Sequence, residues 1–337
     1  MKKVGLVGWR GLVGSVLLSR MTAEKDFLYF TPYFFSTSQA GGCAPEVGQS
    51  EKLLLDAYRL DSLREMDVIL TCQGSDYTAR IHKALRQTEW QGFWLDAASL
   101  LRLEKSSVIV LDPVNQAVIE SGLARGIKTF VGGNCTVSLM LLALKGLFAE
   151  NLVEWVSSMT YQAVSGAGAA AMQHLLKEIR DFHPNETHEM ALLGNLWPWI
   201  DKPMPSGQSK EEWKGMQEAH KILQTPEPIP IDGTCVRVGV FRAHSQALTV
   251  KLKQSITLAS VTDLIQTSHQ WLKWVPNEKE QTLHELTPLA VSGTLDIAVG
   301  RVRKMTLGDR YLNLFTVGDQ LLWGAAEPLR RMLKLFI

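Results

Sequence analysis

The sequence predicts an α/β protein of two domains: a first domain with a parallel sheet carrying helices on its faces, and a second of α+β character with a mixed, open sheet. Three observations carry this prediction. The chain has 337 residues, more than one hydrophobic core commonly organises. Its first third alternates short apolar runs with helical stretches, the pattern of strands joined by crossover helices. Beyond residue 133 the rhythm changes to long β-rich runs broken by helices.

Taken in order, "KVGLVGW" is a short apolar strand, "LVGSVLLSRM" a helix, and "YFFST" and "DVILTCQ" two further strands. "ARIHKALRQ" is helical, "GFWLDAA" and "SVIVLDP" are strands, and "VNQAVIESGLARG" is a helix closed by Gly126. "TVSLMLLALKGLF" is rich in Leu, Met and Ala and reads as one helix. In the second half "VEWVSSMTYQAV" is a long strand, "AAAMQHLLKEIRDF" a helix, "TCVRVGVFRAHSQALTVKLKQ" β-rich, and "SVTDLIQTSHQWL" helical. "VGDQLLWGAAEPLRRMLKLF" closes the chain as a helix with a kink near Pro328. The expected division is residues 1–133, completed by a C-terminal helix over 318–337, and residues 134–317.

Bulk properties exclude several functions. Formal net charge is +1, with 46% hydrophobic and 20% charged residues, so nothing favours a nucleic acid or an acidic membrane surface. Cys43, Cys72, Cys135 and Cys235 are far apart and form no CxxC pair, which argues against a disulfide framework or a zinc site and for a reducing compartment. The N-terminus "MKKVGLVGWRGLVG" lacks the continuous apolar core of a signal peptide. No apolar run reaches the ~18 residues of a membrane span. The expected location is the cytoplasm.

"GWRGLVG" sets Gly8, Gly11 and Gly14 after a strand and at the opening of a helix. Glycine there lets backbone N–H groups approach a pyrophosphate, and the helix N-terminus favours the anion. The first domain is therefore read as a Rossmann-type dinucleotide-binding domain, although the spacing is GxxGxxG. An NAD-preferring second strand ends in a carboxylate that binds the ribose 2′-OH. Here it ends "FFSTSQ", with Ser36, Thr37 and Ser38; hydroxyls accept a 2′-phosphate, and Arg10 adds positive charge. NADP is the expected cofactor, against the plain alternative that these hydroxyls cap a turn.

"GGNCTVSLM" puts Cys135 in the first turn of an apolar helix, with Asn134 as a good N-cap type. A thiol there feels the positive end of the helix dipole, which favours the thiolate. The alternative is a buried filler, since cysteine is among the most often buried residues. A thiolate that adds to an aldehyde makes a hemithioacetal that can lose hydride to a nicotinamide and leave a thioester. "RVGVFRAHSQALTV" supplies His244, flanked by Arg237 and Arg242, as the acid/base.

These stretches, with "GWRGLVGS", "YQAVSGAG", "EEWKG" and "FTVGDQLLWGAAEPLRRML", resemble aspartate-β-semialdehyde dehydrogenase of the Gram-negative bacterial type, over nearly the whole chain and in the family's order. The resemblance implies a homodimer that reduces L-aspartyl-4-phosphate to L-aspartate-4-semialdehyde with NADPH. In it Cys135 is the nucleophile, His244 the acid/base and Gln162 the residue that orients the acyl intermediate. It further implies Arg237 for the substrate carboxylate, Glu211 for its ammonium, and Arg102 with Lys214 for the phosphate. For the cofactor it implies Gly8 and the loop Arg10, Gly11, Leu12 and Val13, with Thr37, Ser38, Gln73, Ser165, Gly166 and Gln320. Taken singly, Glu211 and Lys214 also read as a solvent-facing i,i+3 pair. The rival readings are a reductase of another acyl phosphate, such as an N-acetylated one with no use for Glu211, and a non-catalytic paralogue. The stretch over residues 180–208 is shorter than the family leads one to expect, which bears on dimer packing.

Overall fold

The computed structural model describes residues 1–181 and 191–337; the part of the short stretch between 182 and 190 lies outside the described residues. The chain divides into two compact units, Met1–Asn134 with Ala325–Ile337, and Cys135–Gly324.

The first unit is a parallel sheet with helices between its strands. It comprises β1 (Lys2–Val7), α1 (Leu12–Ala23), β2 (Phe30–Ser36), β3 (Leu55–Asp56), α2 (Leu60–Arg64), β4 (Val68–Thr71), α3 (Ser75–Gln87), β5 (Phe93–Asp96), β6 (Ser107–Val110), α4 (Asp112–Ala124) and β7 (Thr129–Gly132). Strand order is β3-β2-β1-β4-β5-β7-β6, and every pairing is parallel. Because neighbouring residues of a strand face opposite ways, the sheet has two apolar faces. Val4, Leu6, Phe34, Leu70 and Phe130 pack on one; Val7, Phe35, Ile69, Tyr77 and Trp94 pack on the other. The chain runs outward from β1 to β3 and then returns to β4, so the topological switch point lies between β1 and β4. Ligands of such sheets sit at the carboxyl ends of the strands there.

The end of the chain differs from the expected continuous helix. Gly318 is still strand, Leu322–Ala326 form a wide π-type turn, and the C-terminal helix covers only Glu327–Leu333. Pro328 lies in the first turn of that helix, where a missing N–H forfeits no hydrogen bond, so it opens a helix and does not kink one. A buried ionic network ties this helix to α1 and to the turn that follows it. Arg330 holds both carboxylate oxygens of Asp26, at 2.6 and 3.0 Å, and Glu327 at 2.8 Å. Arg20 of α1 reaches Glu327 at 3.1 Å.

The second unit comprises α5 (Cys135–Ala143), α6 (Lys145–Ala149), β8 (Val153–Gln162), α7 (Ala169–Arg180), β9 (Leu196–Trp197), α8 (Lys210–Leu223), β10 (Ile231–Asp232), β11 (Cys235–Val238), β12 (His244–Leu252), α9 (Leu258–Gln266), β13 (Leu272–Trp274), α10 (Lys279–Glu285), α11 (Pro288–Val291), β14 (Ile297–Met305) and β15 (Gly308–Gly318). Its sheet runs β13-β14-β15-β12-β8-β11-β9, with β10 also beside β8. β8 pairs parallel with β11 and antiparallel with β12, so the sheet is mixed. The single helix expected over 136–148 is two pieces, α5 and α6. The second is turned so that Gly146 meets α9, where a Cβ would stand 1.9 Å from the Leu264 carbonyl oxygen. Along β8, Thr160 and Gln162 are buried while Met159 and Tyr161 are exposed; the exposed face also carries Phe315, whose ring is 6.3 Å from that of Tyr161.

The Asp26 network supplies a stability test. Removing Asp26 takes two short hydrogen bonds from the buried Arg330 guanidinium, which keeps Glu327 and Glu24 as counter-ions, and costs about 3 kcal/mol. Asp26→Ala should lower the urea midpoint accordingly. Loss of the exposed Lys2–Asp67 pair through Lys2→Ala should change it by less than about 1 kcal/mol.

Candidate active site

The candidate side chains of the second unit converge because of sheet register. β8 and β11 run side by side with Gln162 opposite Arg237, and Ser245, next to His244, is opposite Tyr161 on the other side of β8. Gln162, Arg237 and His244 are all buried. The strands thus deliver an amide, a guanidinium and an imidazole to one place from residues 75 and 82 positions apart in the sequence.

One peptide group joins two of them. The Ala163 carbonyl accepts from Arg237 Nη1 at 2.6 Å, and the Ala163 N–H donates to His244 Nδ1 at 3.0 Å. Since Nδ1 is an acceptor, the neutral ring carries its proton on Nε2. Nε2 is buried and has no hydrogen-bond partner among the described residues. A buried polar atom left so calls for a ligand. Burial, helped by the Arg237 charge, pushes His244 down to about 3, so the ring is neutral at physiological pH. Burial also lowers Arg237, against the raising effect of negative charge at Cys135 and Glu211.

Cys135 is the first residue of α5, which is otherwise buried. Its own exposure is intermediate, whereas Cys235 is buried and desolvation pushes that second thiol up to about 12. The two cysteines therefore separate: one at the positive end of a helix dipole and within electrostatic reach of Arg237, the other inert. α5 is seated by two close contacts. A Cβ on Gly324 would stand 2.5 Å from Cys135 Cβ, and Gln246 Nε2 donates to the Thr136 carbonyl at 2.9 Å. Gly166 closes over the group. A Cβ there would lie 2.9 Å from Arg237 Nη1 and 3.2 Å from His244 Nε2, so the glycine gives both side chains their space.

Glu211 and Lys214 occur on α8, and they are a buried pair, not the solvent-facing one their spacing alone allows. Lys214 Nζ is 2.9 Å from Glu211 Oε2 and 2.8 Å from Asp201 Oδ2, and Gln162 Nε2 donates to Glu211 Oε1 at 3.4 Å. Desolvation tends to lower Lys214, but the two carboxylates more than offset it and raise its pKa. α8 is aimed by a capping box. Ser209 Oγ accepts from the Glu212 N–H, and Glu212 Oε2 accepts from the Ser209 N–H. The other Glu212 oxygen accepts from the Cys235 N–H at 3.0 Å, joining α8 to β11.

Ser165 and Gln320 are buried and bonded to each other, Gln320 Nε2 donating to Ser165 Oγ. Gln320 Oε1 accepts from the Ala243 N–H at 2.9 Å, and Ala243 has φ of 72°. A left-handed alanine costs roughly 1–2 kcal/mol, and Gln320 holds it, which sets the entry of His244 into β12. In this structure the two side chains brace the histidine.

In the first unit Gly8 and Gln73 follow β1 and β4 at the switch point. Gly8 has φ of 73°, and a Cβ on it would meet Gln73 N at 2.5 Å. Gly11, with Leu12 and Val13 after it, opens α1. Arg10 reaches the end of β2, its Nη2 2.8 Å from Ser36 Oγ and 3.5 Å from Ser38 Oγ, with Gln39 Oε1 on Nη1. Thr37 is half-buried between them. Ser36 also caps its own turn, accepting from Gln39 N–H at 2.9 Å. An exposed cation among hydroxyls at this strand end fits a ribose 2′-phosphate, and the close-packed glycine turn fits a pyrophosphate. Arg102 is buried, its Nε donating to the Gly132 carbonyl at 2.7 Å, with Asp96 nearby.

Several of these parts were not found from the sequence. "SKEE" is a legible S-x-x-E capping box. Gln246 lies in the same "RAHSQA" stretch as His244. Ala163 acts through its backbone, which leaves little compositional trace, and Gly166, expected among the cofactor contacts, also makes room for Arg237 and His244. Among the described residues there is no cluster of His, Cys, Asp and Glu suited to a metal ion, and no helix long and apolar enough to cross a membrane.

Comparison with known proteins gives the same division of labour. A family model described as the semialdehyde dehydrogenase NAD-binding domain matches residues 3–122, and one described as the semialdehyde dehydrogenase dimerisation domain matches residues 144–323. The structure of aspartate semialdehyde dehydrogenase from Francisella tularensis is 51% identical, with a TM-score of 0.96 and 100% of both chains covered. Aspartate semialdehyde dehydrogenase II from Vibrio cholerae, solved in complex with ASA, is 25% identical, with a TM-score of 0.86, covering 100% of this chain and 98% of that one. The Candida albicans enzyme, at 19% identity and a TM-score of 0.72, covering 100% of this chain and 98% of that one, shares the fold. The two halves match in order and the Francisella relative matches from end to end, so the chain belongs to the aspartate-β-semialdehyde dehydrogenase family.

Proposed function

We propose that this enzyme converts L-aspartyl-4-phosphate to L-aspartate-4-semialdehyde with NADPH, by way of a thioester on Cys135. The observation that carries this reading is the buried, unpartnered His244 Nε2, set with Arg237 and Gln162 on the strands beside the helix that Cys135 opens. The Cys135 sulfur attacks the acyl carbon, and the carbonyl electron pair moves onto oxygen. As that pair returns, the C–O bond to phosphate breaks and phosphate leaves with its electrons. NADPH, when bound, supplies the hydride that converts the thioester to the aldehyde level. Collapse of the resulting alkoxide breaks the C–S bond and restores the thiolate.

The tautomer changes the role expected of His244. A ring whose Nδ1 accepts from Ala163 already holds its proton on Nε2, so at rest it donates a hydrogen bond and does not take a proton from a hydroxyl. Each step above passes through an alkoxide, and a fixed neutral donor in a water-poor site is worth about 10²–10³ in rate to such a charge. Gln162 orients the acyl group, Arg237 offers the substrate carboxylate a planar fork, and Glu211 meets the ammonium. Arg102 and Lys214 supply cations for the phosphate. NADP is held by the glycine turn with Gln73 and by Arg10 with the Ser36–Ser38 hydroxyls, chemistry that a carboxylate at this strand end would oppose. The open apolar face around Met159, Tyr161 and Phe315 suits a second copy, and a homodimer is in keeping with the dimerisation-domain match. The reaction belongs to the synthesis of lysine, diaminopimelate, threonine and methionine, and the unbridged cysteines suit the cytoplasm.

Three outcomes are expected. Cys135→Ser should lower phosphate-dependent NADPH formation from the semialdehyde by at least about 10³-fold, and retention of most of the rate would remove the nucleophile. Gly166→Ala, whose backbone conformation alanine tolerates, should lower kcat/KM by about 10²-fold through displacement of Arg237 and His244, with a shift in Tm of only a few degrees. The third concerns pH. An unfolded histidine binds a proton near 6.5 and His244 only near about 3, so the unfolded state binds more protons as pH falls through that interval. Burial of His244 therefore costs nothing above pH 6.5 and progressively destabilises the fold below it. Between pH 8 and pH 5 the wild type should lose about 2 kcal/mol more than His244→Gln in denaturant titrations.

A further inference from the structure

The phosphate assignment leaves an electrostatic puzzle at Lys214. Its ammonium is held at 2.8 Å by Asp201 and at 2.9 Å by Glu211. With both carboxylates ionised this trio sums to one negative charge, and although Lys210 and Arg237 act on the two carboxylates, the ammonium itself is already neutralised when a phosphate dianion approaches. The two carboxylates differ in setting. Glu211 is buried, on the helix, and also receives the Gln162 amide. Asp201 lies outside any helix or strand, in the described part of the short stretch, and is exposed overall. Its φ is 73°, its carbonyl accepts from Trp199 Nε1 at 2.9 Å, and its Oδ1 accepts from the Lys202 N–H at 2.8 Å. The backbone of the residue is thus fixed by its neighbours, while one carboxylate oxygen is given to Lys214.

We infer that Asp201 is the exchangeable counter-ion of Lys214: it holds the ammonium in position while the site is empty and is displaced from it by the incoming phosphate, so that its charge sets phosphate affinity. This rests on the assignment of Lys214 to the phosphate. Three features favour exchange at Asp201 over Glu211. It is the more exposed of the two, its second oxygen serves only the neighbouring Lys202 N–H whereas that of Glu211 is tied to Gln162 of β8, and the geometry of its turn does not depend on the bond to the lysine. A lysine ammonium is a compact charge with rotatable donors, so it can pass from a carboxylate to a phosphate oxygen without moving its helix. Asp201 is a positioning and affinity-setting residue and touches no reacting atom.

Asp201→Asn isolates the charge. Asparagine tolerates a left-handed backbone and keeps an oxygen for the Lys202 N–H, so the turn is retained. Initial rates in the direction of semialdehyde oxidation, with inorganic phosphate as the varied substrate, should give a phosphate KM lowered about 3- to 10-fold, with the KM for the semialdehyde changed less than 2-fold. Lys214→Met should raise the phosphate KM at least 10-fold, and in that background Asp201→Asn should have no further effect. An unchanged or raised phosphate KM in Asp201→Asn, with Lys214→Met still raising it, overturns the counter-ion role and leaves the lysine assignment standing. An unchanged phosphate KM in Lys214→Met overturns the lysine assignment and the counter-ion role with it. A raised semialdehyde KM in Asp201→Asn equal to any change in phosphate KM shows a merely structural turn and also overturns the proposal.

Discussion

The site depends on one peptide group. Ala163 follows Gln162 at the end of β8; its carbonyl takes Arg237 and its N–H takes His244. Either bond alone would be ordinary. Together they fix the separation of a guanidinium and an imidazole, and they decide which nitrogen of the imidazole carries the proton. The rest of the unit supports that arrangement. Gln320 holds the left-handed turn at Ala243, Gly166 leaves room where any Cβ would intrude, and Gln246 ties the strand that begins with His244 to the helix that begins with Cys135. Two strand pairings set these contacts, and a shift of register by one residue would turn Gln162, Arg237 and His244 to the opposite face.

The same economy governs charge. Each ionisable group of the site has a partner or is kept neutral. Desolvation keeps His244 neutral and Cys235 protonated. Glu211 and Lys214 neutralise each other in part, and Asp201 completes the lysine's environment. In the first unit Arg330 satisfies Asp26 and Glu327 in the interior, while Arg10 is left at the surface among hydroxyls. The interior pairs hold the fold, and the exposed cation stands where the proposed 2′-phosphate would lie.

Much of this is legible in the sequence because it is local. Alternating strands and helices announce the parallel sheet, Gly8, Gly11 and Gly14 announce the tight turn that opens α1, and "FFSTSQ" shows a strand end without a carboxylate. The resemblance of whole motifs points to Cys135, Gln162, Arg237 and His244, and the strand register brings Gln162, Arg237 and His244 together. What stayed hidden is non-local. Helix propensity makes 136–148 a single helix, but the packing of Gly146 against Leu264 divides it. The C-terminal stretch reads as a helix from Val317, yet pairing with β12 and β14 keeps Val317 and Gly318 in strand. The i,i+3 spacing of Glu211 and Lys214 is equally that of a solvated pair; only the fold shows it buried and shared with Asp201. The tautomer of His244 is set by a backbone N–H 81 residues away, for which no motif exists.

The ring of His244 is therefore the place to measure. Nitrogen-15 NMR of the selectively labelled enzyme, ligand-free and at physiological pH, reports which ring nitrogen is protonated. The arrangement described predicts a neutral imidazole with the proton on Nε2 and an acceptor Nδ1, unchanged down to pH 5. A ring protonated on Nδ1, or an imidazolium at neutral pH, would contradict it.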